Sequence, residues 1–214
     1  YRCPVFIAAN KDVSLTRETV DLLRLALPTV EKRRQAPLDR PFLPFAEPDK
    51  GLTPDFLPIG GDRPVRQTSS THGPDGYITT DAGLIARSQD RLNRKVRSVV
   101  DQFTYYDEIS APEADTLVIA YGVTARAAGA AVEAVQKTGF PASLLVLKTL
   151  WPVPEALIKH KAARFRRIVV AEMNLGQYVR EIERLLPGKK VDFIGQMNGE
   201  LLSPSRIKEG VLNG

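Results

Sequence analysis

Four short, almost continuously apolar runs recur through the second half of the chain. They lie at residues 116–120, 142–147, 168–171 and 191–194. Runs of this length that are apolar at successive positions are typical of strands buried on both faces of a parallel sheet. They predict four core strands.

The segments between these runs carry the start and stop signals of helices. Thr124 is the predicted cap of a helix that ends at Gly139, and Pro154 opens a short helix. Residues 175–186 form the next predicted helix, and Ser203-Pro204 starts the last one. Strands that alternate with helices predict an α/β fold with a doubly wound, mostly parallel sheet over residues 111–214.

The first thirty residues predict a strand followed by a helix. Residues 3–9 form an apolar run that suits a buried strand, and Val20, Leu23 and Leu27 stand at helical spacing after the possible caps Ser14 and Thr16. Because a chain rarely begins inside a core strand, we expect Tyr1 to lie within a longer protein.

Proline and glycine dominate the next segment, residues 31–83. This density excludes a regular helix or a central strand, and interspersed apolar residues such as Phe45 and Phe56 indicate that the segment lies over a surface. A long helix is predicted at residues 84–103, with an apolar stripe of Ile85, Leu92, Val96, Val99, Val100 and Phe103. We therefore expect three parts: residues 1–30, a linker with the long helix at 31–110, and the α/β domain at 111–214.

Composition indicates a soluble globular protein. Apolar residues make up 43% and charged residues 26% of the chain, and no apolar run approaches the length that spans a bilayer. Cys3 is the single cysteine, which excludes an internal disulfide and a cysteine-ligated cluster and suits a reducing cytoplasm. The net charge of +5 is scattered without a binding motif, so solvated helix faces explain it better than nucleic acid does.

Common catalytic and nucleotide-binding motifs are missing. Gly122 and the residues after it do not form the glycine-rich dinucleotide fingerprint, there is no Walker sequence, and no serine has a nucleophile-elbow setting. His72 stands beside hydroxyls in a turn-forming stretch and is a candidate for acid–base chemistry, although a lone loop histidine more often only makes a hydrogen bond. His160 is expected at the surface.

A polar edge is predicted where the four strands end. Ligands and partners of parallel sheets meet the loops at the carboxyl ends of the strands. These loops carry Lys148, Trp151, Glu172, Asn174, Gln177, Gln196 and Asn198. Two interpretations hold side by side: a ligand or partner surface, or a local role in which Glu172 and Asn174 cap the following helix while Trp151 forms a packing corner.

Two stretches in a fixed order resemble a known family. Lys148-Thr149-Leu150-Trp151-Pro152 is followed some twenty residues later by Glu172-Met173-Asn174-Leu175-Gly176-Gln177. These stretches resemble the α subunits of 2-oxoacid:ferredoxin oxidoreductases. Upstream, Thr71-His72-Gly73 resembles the family's histidine-and-glycine linker, and residues 4–7 look like the last strand of a thiamine pyrimidine domain.

The resemblance implies a transketolase-C-like domain at the end of such a subunit. The complete cytoplasmic enzyme would use thiamine diphosphate, Mg²⁺ and iron–sulfur clusters to convert a 2-oxoacid and coenzyme A to an acyl-CoA, with electrons passing to ferredoxin. Its partners would be a diphosphate-binding β subunit and in some cases γ and δ subunits, with no nucleic acid or membrane. The motifs that hold these cofactors are absent, so no catalytic, cofactor or metal residue is assigned. His72, Trp151, Glu172, Asn174 and Gln177 are candidates for interface or near-site roles.

Some residues depart from the family pattern, and two other functions stay open. Asn10-Lys11 replaces a usual acidic residue, and Gly73-Pro74-Asp75 separates the histidine from its usual acidic neighbour. The first alternative is the same C-terminal domain in another thiamine enzyme, such as a 2-oxoacid dehydrogenase β chain. The second is a non-catalytic module that binds a partner through the strand-end edge.

Overall fold

A computed structural model of the chain describes residues 1–48 and 51–214. Asp49 and Lys50, which belong to the predicted linker, lie outside the described residues. The chain forms two compact units: the first contains residues 1–6 and 18–99, and the second contains residues 7–17 and 100–214. Within the described ranges, no helix combines the length and the apolar character needed to cross a membrane.

A five-stranded sheet is the centre of the second unit. Its strands are β1 (Tyr106–Ile109), β2 (Thr116–Tyr121), β3 (Ala142–Leu147), β4 (Arg167–Glu172) and β5 (Lys190–Gly195). The order is β1-β3-β2-β4-β5, with every neighbouring pair parallel except β1, which runs antiparallel to β3 at one edge. The predicted mostly parallel α/β sheet is confirmed. Strand β1 was not predicted, because an exposed edge strand with the sequence Tyr-Asp-Glu-Ile has no apolar run.

Helices cover both faces of this sheet. They are α3 (Thr124–Gln136), α4 (Glu155–Ala162), α5 (Gln177–Leu185) and α6 (Pro204–Leu212). Leu117 and Ile119 of β2 pack with α4 and α5, whereas Val118 and Ala120 pack with α3 and α6. The two-residue period of the strand therefore places apolar side chains in both layers, which explains the continuous apolar run.

Two helices of the second unit are capped in different ways, one by an adjacent residue and one by a residue that is distant in sequence. Ser203 caps α6 as predicted, since its hydroxyl accepts a hydrogen bond from the Arg206 amide. The prediction that Thr124 caps α3 is wrong, because Thr124 is already the first helical residue. The cap comes instead from Asn10, whose Oδ1 accepts from the Val123 amide at 3.0 Å. A contribution from a residue 113 positions away leaves no local signal.

The predicted strand and helix at residues 1–30 are not formed. Residues 3–9 are exposed and extended without pairing, and the helical content is limited to α1 (Lys11–Leu15) and a 3₁₀ turn at Leu22–Arg24. A strand exists only when its backbone pairs with a neighbour, and no described segment pairs with residues 3–9. Large apolar side chains there, such as Phe6 at 92% and Leu23 at 97%, are therefore exposed.

The long helix is shorter than predicted, and a different side of it is buried. It is α2 (Ala82–Arg97), capped by the Asp81 side chain, and a separate 3₁₀ turn covers Val100–Phe103. The predicted apolar stripe is wrong at Leu92, which is exposed; its other members are half-buried, and the fully buried residues of the helix are Arg91 and Lys95. These two residues bond carbonyl oxygens of the first unit, which covers their side of the helix. The prediction of no regular helix or central strand for residues 31–83 holds for the described residues up to Asp81, which form only two isolated bridges, while α2 takes the last two residues of that range.

Candidate functional site at the strand ends

The second unit brings most of the predicted site residues to one edge. Trp151, Glu172, Asn174 and Gln177 follow the carboxyl ends of β3 and β4, which are parallel to β2 between them. His72 belongs to the first unit, so the predicted site residues do not all lie in one unit.

Glu172 is the buried centre of this edge, with 1% of its surface exposed. Its Oε2 accepts hydrogen bonds from the Tyr121 hydroxyl at 2.6 Å, from the Asn174 amide group at 2.8 Å and from the Tyr178 backbone amide at 3.1 Å. Its Oε1 accepts from the Val179 backbone amide at 3.0 Å. The carboxylate therefore satisfies the first amides of α5, where a negative charge is favourable, and its lone pairs are already engaged.

Asn174 shapes the loop that follows β4. Its Oδ1 accepts from the backbone amides of Gly176 at 2.7 Å and Gln177 at 3.1 Å. Gly176 has φ +87°, and a Cβ at this position would lie 3.0 Å from Val179 Cγ1, so glycine suits this turn for two reasons. The interpretation that Glu172 and Asn174 cap the following helix is confirmed, while an interface role for these residues stays a prediction.

Two tyrosines complete the packing around Glu172. The rings of Tyr121 and Tyr178 lie 5.5 Å apart at a tilted angle, and the Tyr178 hydroxyl donates to the Leu150 carbonyl oxygen at 3.5 Å. Burial, followed by the hydrogen bond to Glu172, raises the pKa of Tyr121 above its ordinary value. Burial also raises the pKa of Tyr178. Both hydroxyls therefore stay protonated near neutral pH and act as donors that connect the loops after β2, β3 and β4.

Exposed apolar side chains surround this rigid centre. Trp151 follows β3 and is 77% exposed, Leu175 follows β4 and is 65% exposed, and Met197 follows β5 and is 63% exposed. We call these three residues the strand-end surface. The prediction that Trp151 forms a packing corner is wrong. Large apolar side chains that project together from one edge are typical of a contact surface.

The remaining polar residues of the edge have local partners. Lys148 pairs with Asp107 at 2.7 Å. The Gln196 side chain accepts from Arg206 and donates to the Glu200 carbonyl oxygen, and Asn198 donates to the Glu200 carboxylate. Their hydrogen bonds stabilise the loops themselves. The predicted site contained these polar residues and not Leu175 or Met197, although both apolar residues stand in the same strand-end loops.

His72 makes contacts only within the first unit. Its ring stacks on Phe45 with centroids 3.6 Å apart, and its buried Nδ1 has no hydrogen-bond partner among the described residues. His160 is exposed on α4, as predicted.

The described residues do not suit a magnesium–diphosphate group. Nowhere in residues 1–48 and 51–214 do three or more His, Cys, Asp or Glu side chains come together as metal ligands. Glu172 is in the appropriate place for a strand-end ligand, but four donors already occupy it. No chemical step is assigned to this edge.

Comparison with known proteins agrees with the fold and with the order of the motifs. Residues 114–207 match the pyruvate:ferredoxin oxidoreductase core domain II family. The 2-oxoglutarate synthase subunit KorA of Methanothermobacter thermautotrophicus is 30% identical over 99% of the chain, and that of Methanothermobacter marburgensis is 31% identical over the same share. The chain belongs to the family of 2-oxoacid:ferredoxin oxidoreductase subunits. It spans 56% of the length of each of these relatives.

A solved structure supports the fold of this oxidoreductase subunit. The 2-oxoglutarate:ferredoxin oxidoreductase of Magnetococcus marinus, which was determined with 2-oxoglutarate, coenzyme A and succinyl-CoA bound, superimposes with a TM-score of 0.75 at 19% identity. The match covers 86% of this chain and 32% of that one. This likeness concerns the fold alone and agrees with the predicted mostly parallel α/β sheet.

Proposed function

We propose that the chain is part of the α subunit of a thiamine-diphosphate-dependent 2-oxoacid:ferredoxin oxidoreductase. The complete enzyme releases the carboxylate of a 2-oxoacid as CO₂ and transfers the acyl group to coenzyme A as a thioester. The two electrons released pass singly through iron–sulfur clusters to two ferredoxins, and one proton is released. The described residues of this chain contribute no group to these steps, so the reacting groups belong to other parts of the complex.

The length of the similarity to KorA supports this proposal most strongly. A shared C-terminal domain of thiamine enzymes would produce similarity over the sheet alone. Here the similarity extends over 99% of the chain at 30–31% identity, which includes the proline-rich segment and α2. Because the relatives are named 2-oxoglutarate synthase subunits, 2-oxoglutarate is the substrate that we propose first.

Within that subunit we assign a role to each part of the chain. Residues 1–30 correspond to the end of the pyrimidine domain, residues 31–110 to the connection between domains, and residues 111–214 to the transketolase-C-like domain. The exposed apolar side chains of the first thirty residues suit a segment that packs against further protein. The diphosphate-binding subunit, with or without γ and δ subunits, completes the assembly.

The strand-end surface is the proposed contact with a neighbouring subunit. Trp151, Leu175 and Met197 are presented by loops that hold hydrogen bonds of their own: Tyr178 to the Leu150 carbonyl oxygen, the Asn174 bonds before α5, and Gln196 to the Glu200 carbonyl oxygen. A surface that is already ordered loses little conformational entropy when a partner binds. Exposed tryptophan is also the residue type that most often dominates binding energy at protein interfaces.

The activity is tested with complete subunits. The full-length α subunit is co-expressed with its diphosphate-binding subunit, and reduction of a viologen dye is followed with 2-oxoglutarate and coenzyme A. We expect activity from the complex, and neither thiamine diphosphate binding nor dye reduction from residues 1–214 alone. Failure of the complex with a broad panel of 2-oxoacids, or activity of the isolated chain, would contradict the proposal.

The interface is tested separately with Trp151→Ala. We expect subunit association to weaken by about 2 kcal/mol, roughly thirtyfold, because a buried tryptophan anchor is lost. The matched control is Leu212→Ala on α6, whose last turn is bonded by Arg167 at the opposite, amino-terminal edge of the sheet. Analytical ultracentrifugation of the two variant complexes separates the outcomes, since equal association of both would exclude Trp151 from the interface.

A further inference from the structure

Two basic side chains are buried on α2 and bond backbone carbonyl oxygens within the described part of the chain. Arg91 and Lys95 are each 4% exposed. Arg91 donates to the Leu52 carbonyl oxygen at 3.2 Å, and Lys95 donates to the Arg2 carbonyl oxygen at 3.2 Å. Burial lowers the pKa of both groups. A carbonyl oxygen compensates a full positive charge only in part, and the Glu47 carboxylate is the negative group that partly offsets the effect of burial on the pKa of Arg91.

Arg91 lines a cavity of about 80 Å³ inside the first unit. The other polar side chains of its wall are Arg87, Ser88, His72 and Glu47. The carboxylate of Glu47 accepts from Arg94 at 3.2 Å, so its charge is already shared with a third arginine. The lining therefore carries excess positive charge. Since about 10–15 Å³ of such space holds one water molecule, the space is sufficient for a small group such as a phosphate or a carboxylate.

His72 also lines this cavity. Its Nδ1 is buried and has no hydrogen-bond partner in the described part of the chain, while stacking on Phe45 at 3.6 Å orients the ring. A second cavity of about 280 Å³ shares His72 and Ser88 and is also lined by the hydroxyl residues Ser69, Ser70 and Thr71. Polar side chains therefore line both cavities, and the arginines line only the smaller one.

We propose that this cavity is a binding site for a small oxyanion. Arg91 and Arg87 compensate the charge of the phosphate or carboxylate group, and Ser88 and His72 are positioned at the same wall to donate hydrogen bonds. The two-cavity arrangement suits a small molecule with an anionic group and a polar body. Occupancy stabilises the first unit, since the ligand binds the folded cavity and not the unfolded chain. This site is independent of the proposed oxidoreductase role.

Binding is measured on the 214-residue chain by isothermal titration with inorganic phosphate and, in parallel, by thermal unfolding in phosphate and in chloride at equal ionic strength. We expect saturable phosphate binding and a higher Tm in phosphate. Acetate and succinate form separate arms: tighter binding of phosphate identifies a phosphate ligand, whereas tighter binding of either acid identifies a carboxylate ligand. No saturable binding of any of the three anions would overturn the proposal.

Arg87→Met is the main variant, because Arg87 is exposed at the cavity wall and its replacement leaves the buried side of α2 intact. Loss of a charge-assisted hydrogen bond is expected to weaken binding of the preferred anion by roughly tenfold or more. His72→Gln tests the second donor and is expected to weaken binding by a smaller factor. The matched control is Arg97→Met, an exposed arginine of the same helix that bonds Asn93 outside the cavity. If Arg97→Met weakened binding as much as Arg87→Met, the effect would be general electrostatics and the proposed site would be wrong.

Discussion

The Tyr121 hydroxyl donates a 2.6 Å hydrogen bond to Oε2 of Glu172 and thereby joins the ends of β2 and β4. These strands are already paired through their backbones, with Ala120 opposite Ala171. The side-chain bond extends this connection beyond the last backbone pair, to the point where the loops leave the sheet. The ends of β2 and β4 are thus joined by a buried polar network whose members are mutually satisfied.

Replacement of Glu172 by glutamine should destabilise the second unit. The NH₂ group that Glu172→Gln introduces cannot accept hydrogen bonds, so at least one donor now bonded to the carboxylate would lose its acceptor while it stays buried. We expect the free energy of unfolding to fall by about 2 kcal/mol. Urea unfolding followed by circular dichroism measures this change.

The neighbouring Gln177 provides the control for that experiment. Its side chain is exposed, so Gln177→Ala should change the free energy of unfolding by no more than about 0.5 kcal/mol. Tyr121→Phe removes one donor and leaves Glu172 with three others, and we expect a loss of about 1 kcal/mol. A Glu172→Gln variant as stable as the parent chain would show that the network contributes nothing to the fold.

The two buried tyrosines predict a loss of stability in alkali. Burial raises the pKa of Tyr121 and of Tyr178 in the folded chain above the value of about 10 expected in the unfolded chain. Above pH of about 10 the unfolded chain releases these protons while the folded chain retains them, so the free energy of unfolding falls as pH rises. Below that pH the contribution is fully present. Urea unfolding at a series of pH values from neutral to alkaline measures the slope.

Phenylalanine variants identify which hydroxyl is responsible. Tyr121→Phe and Tyr178→Phe should each make the alkaline slope shallower, because each removes one group that titrates differently in the two states. Tyr105→Phe, at a side chain that is 64% exposed, should leave the slope unchanged. An alkaline slope that stays unchanged in all three variants would mean that other groups, such as lysines, and not the buried tyrosines, determine the alkaline behaviour.

Sequence reasoning was accurate where the structure depends on neighbouring residues. The runs at β2, β3 and β4 were visible because apolar side chains bury both faces of these strands, whereas β5, also predicted as a core strand, lies at the sheet edge and is buried only at Ile194. The prediction failed where distant segments decide the outcome: Arg91 is not part of the predicted apolar stripe, yet it is buried and bonds the Leu52 carbonyl oxygen. The capping roles of Glu172 and Asn174 were predictable from their position before α5. The bond between Glu172 and Tyr121 was not, because it requires the register of β2 against β4.

The contact of Asn10 with α3 also joins segments that are distant in sequence, and it gives a third prediction. Its Oδ1 accepts from the Val123 amide and so caps α3. Asn10→Ala should reduce the free energy of unfolding by about 1 kcal/mol, the usual effect of a lost helix cap, and urea unfolding measures the change. Asn10→Asp should keep the stability, because a carboxylate accepts the same bond and its charge is favourable at a helix N-terminus.

Ser14→Ala in the same short segment is the control for the Asn10 variants, since Ser14 is exposed. Gly122→Ala tests the contact between Asn10 and the start of α3 by changing the residue that faces Asn10. Its Cβ would lie 2.5 Å from Asn10 Oδ1, and Gly122 has φ +58°, so we expect a loss of at least about 1 kcal/mol. Equal destabilisation by Asn10→Asp and Asn10→Ala would indicate that Asn10 acts through packing and not as a cap.

Arg167 holds the last helix against the sheet at the opposite edge. Its Nε donates to Asp192 on β5, while Nη1 and Nη2 donate to the carbonyl oxygens of Val211 and Gly210 at the end of α6. Arg167→Met removes all three bonds and leaves a half-buried carboxylate without its closest cation, so we expect a loss of about 3 kcal/mol in the free energy of unfolding. The stability of Arg167→Lys should lie between that of the parent chain and that of Arg167→Met, because an ammonium group cannot reproduce the planar arrangement of donors.

The adjacent Arg166 provides the control. Its side chain is 86% exposed, and Arg166→Met should change the free energy of unfolding by at most about 0.5 kcal/mol. Urea unfolding that ranks the three variants in any other order would contradict this role for Arg167.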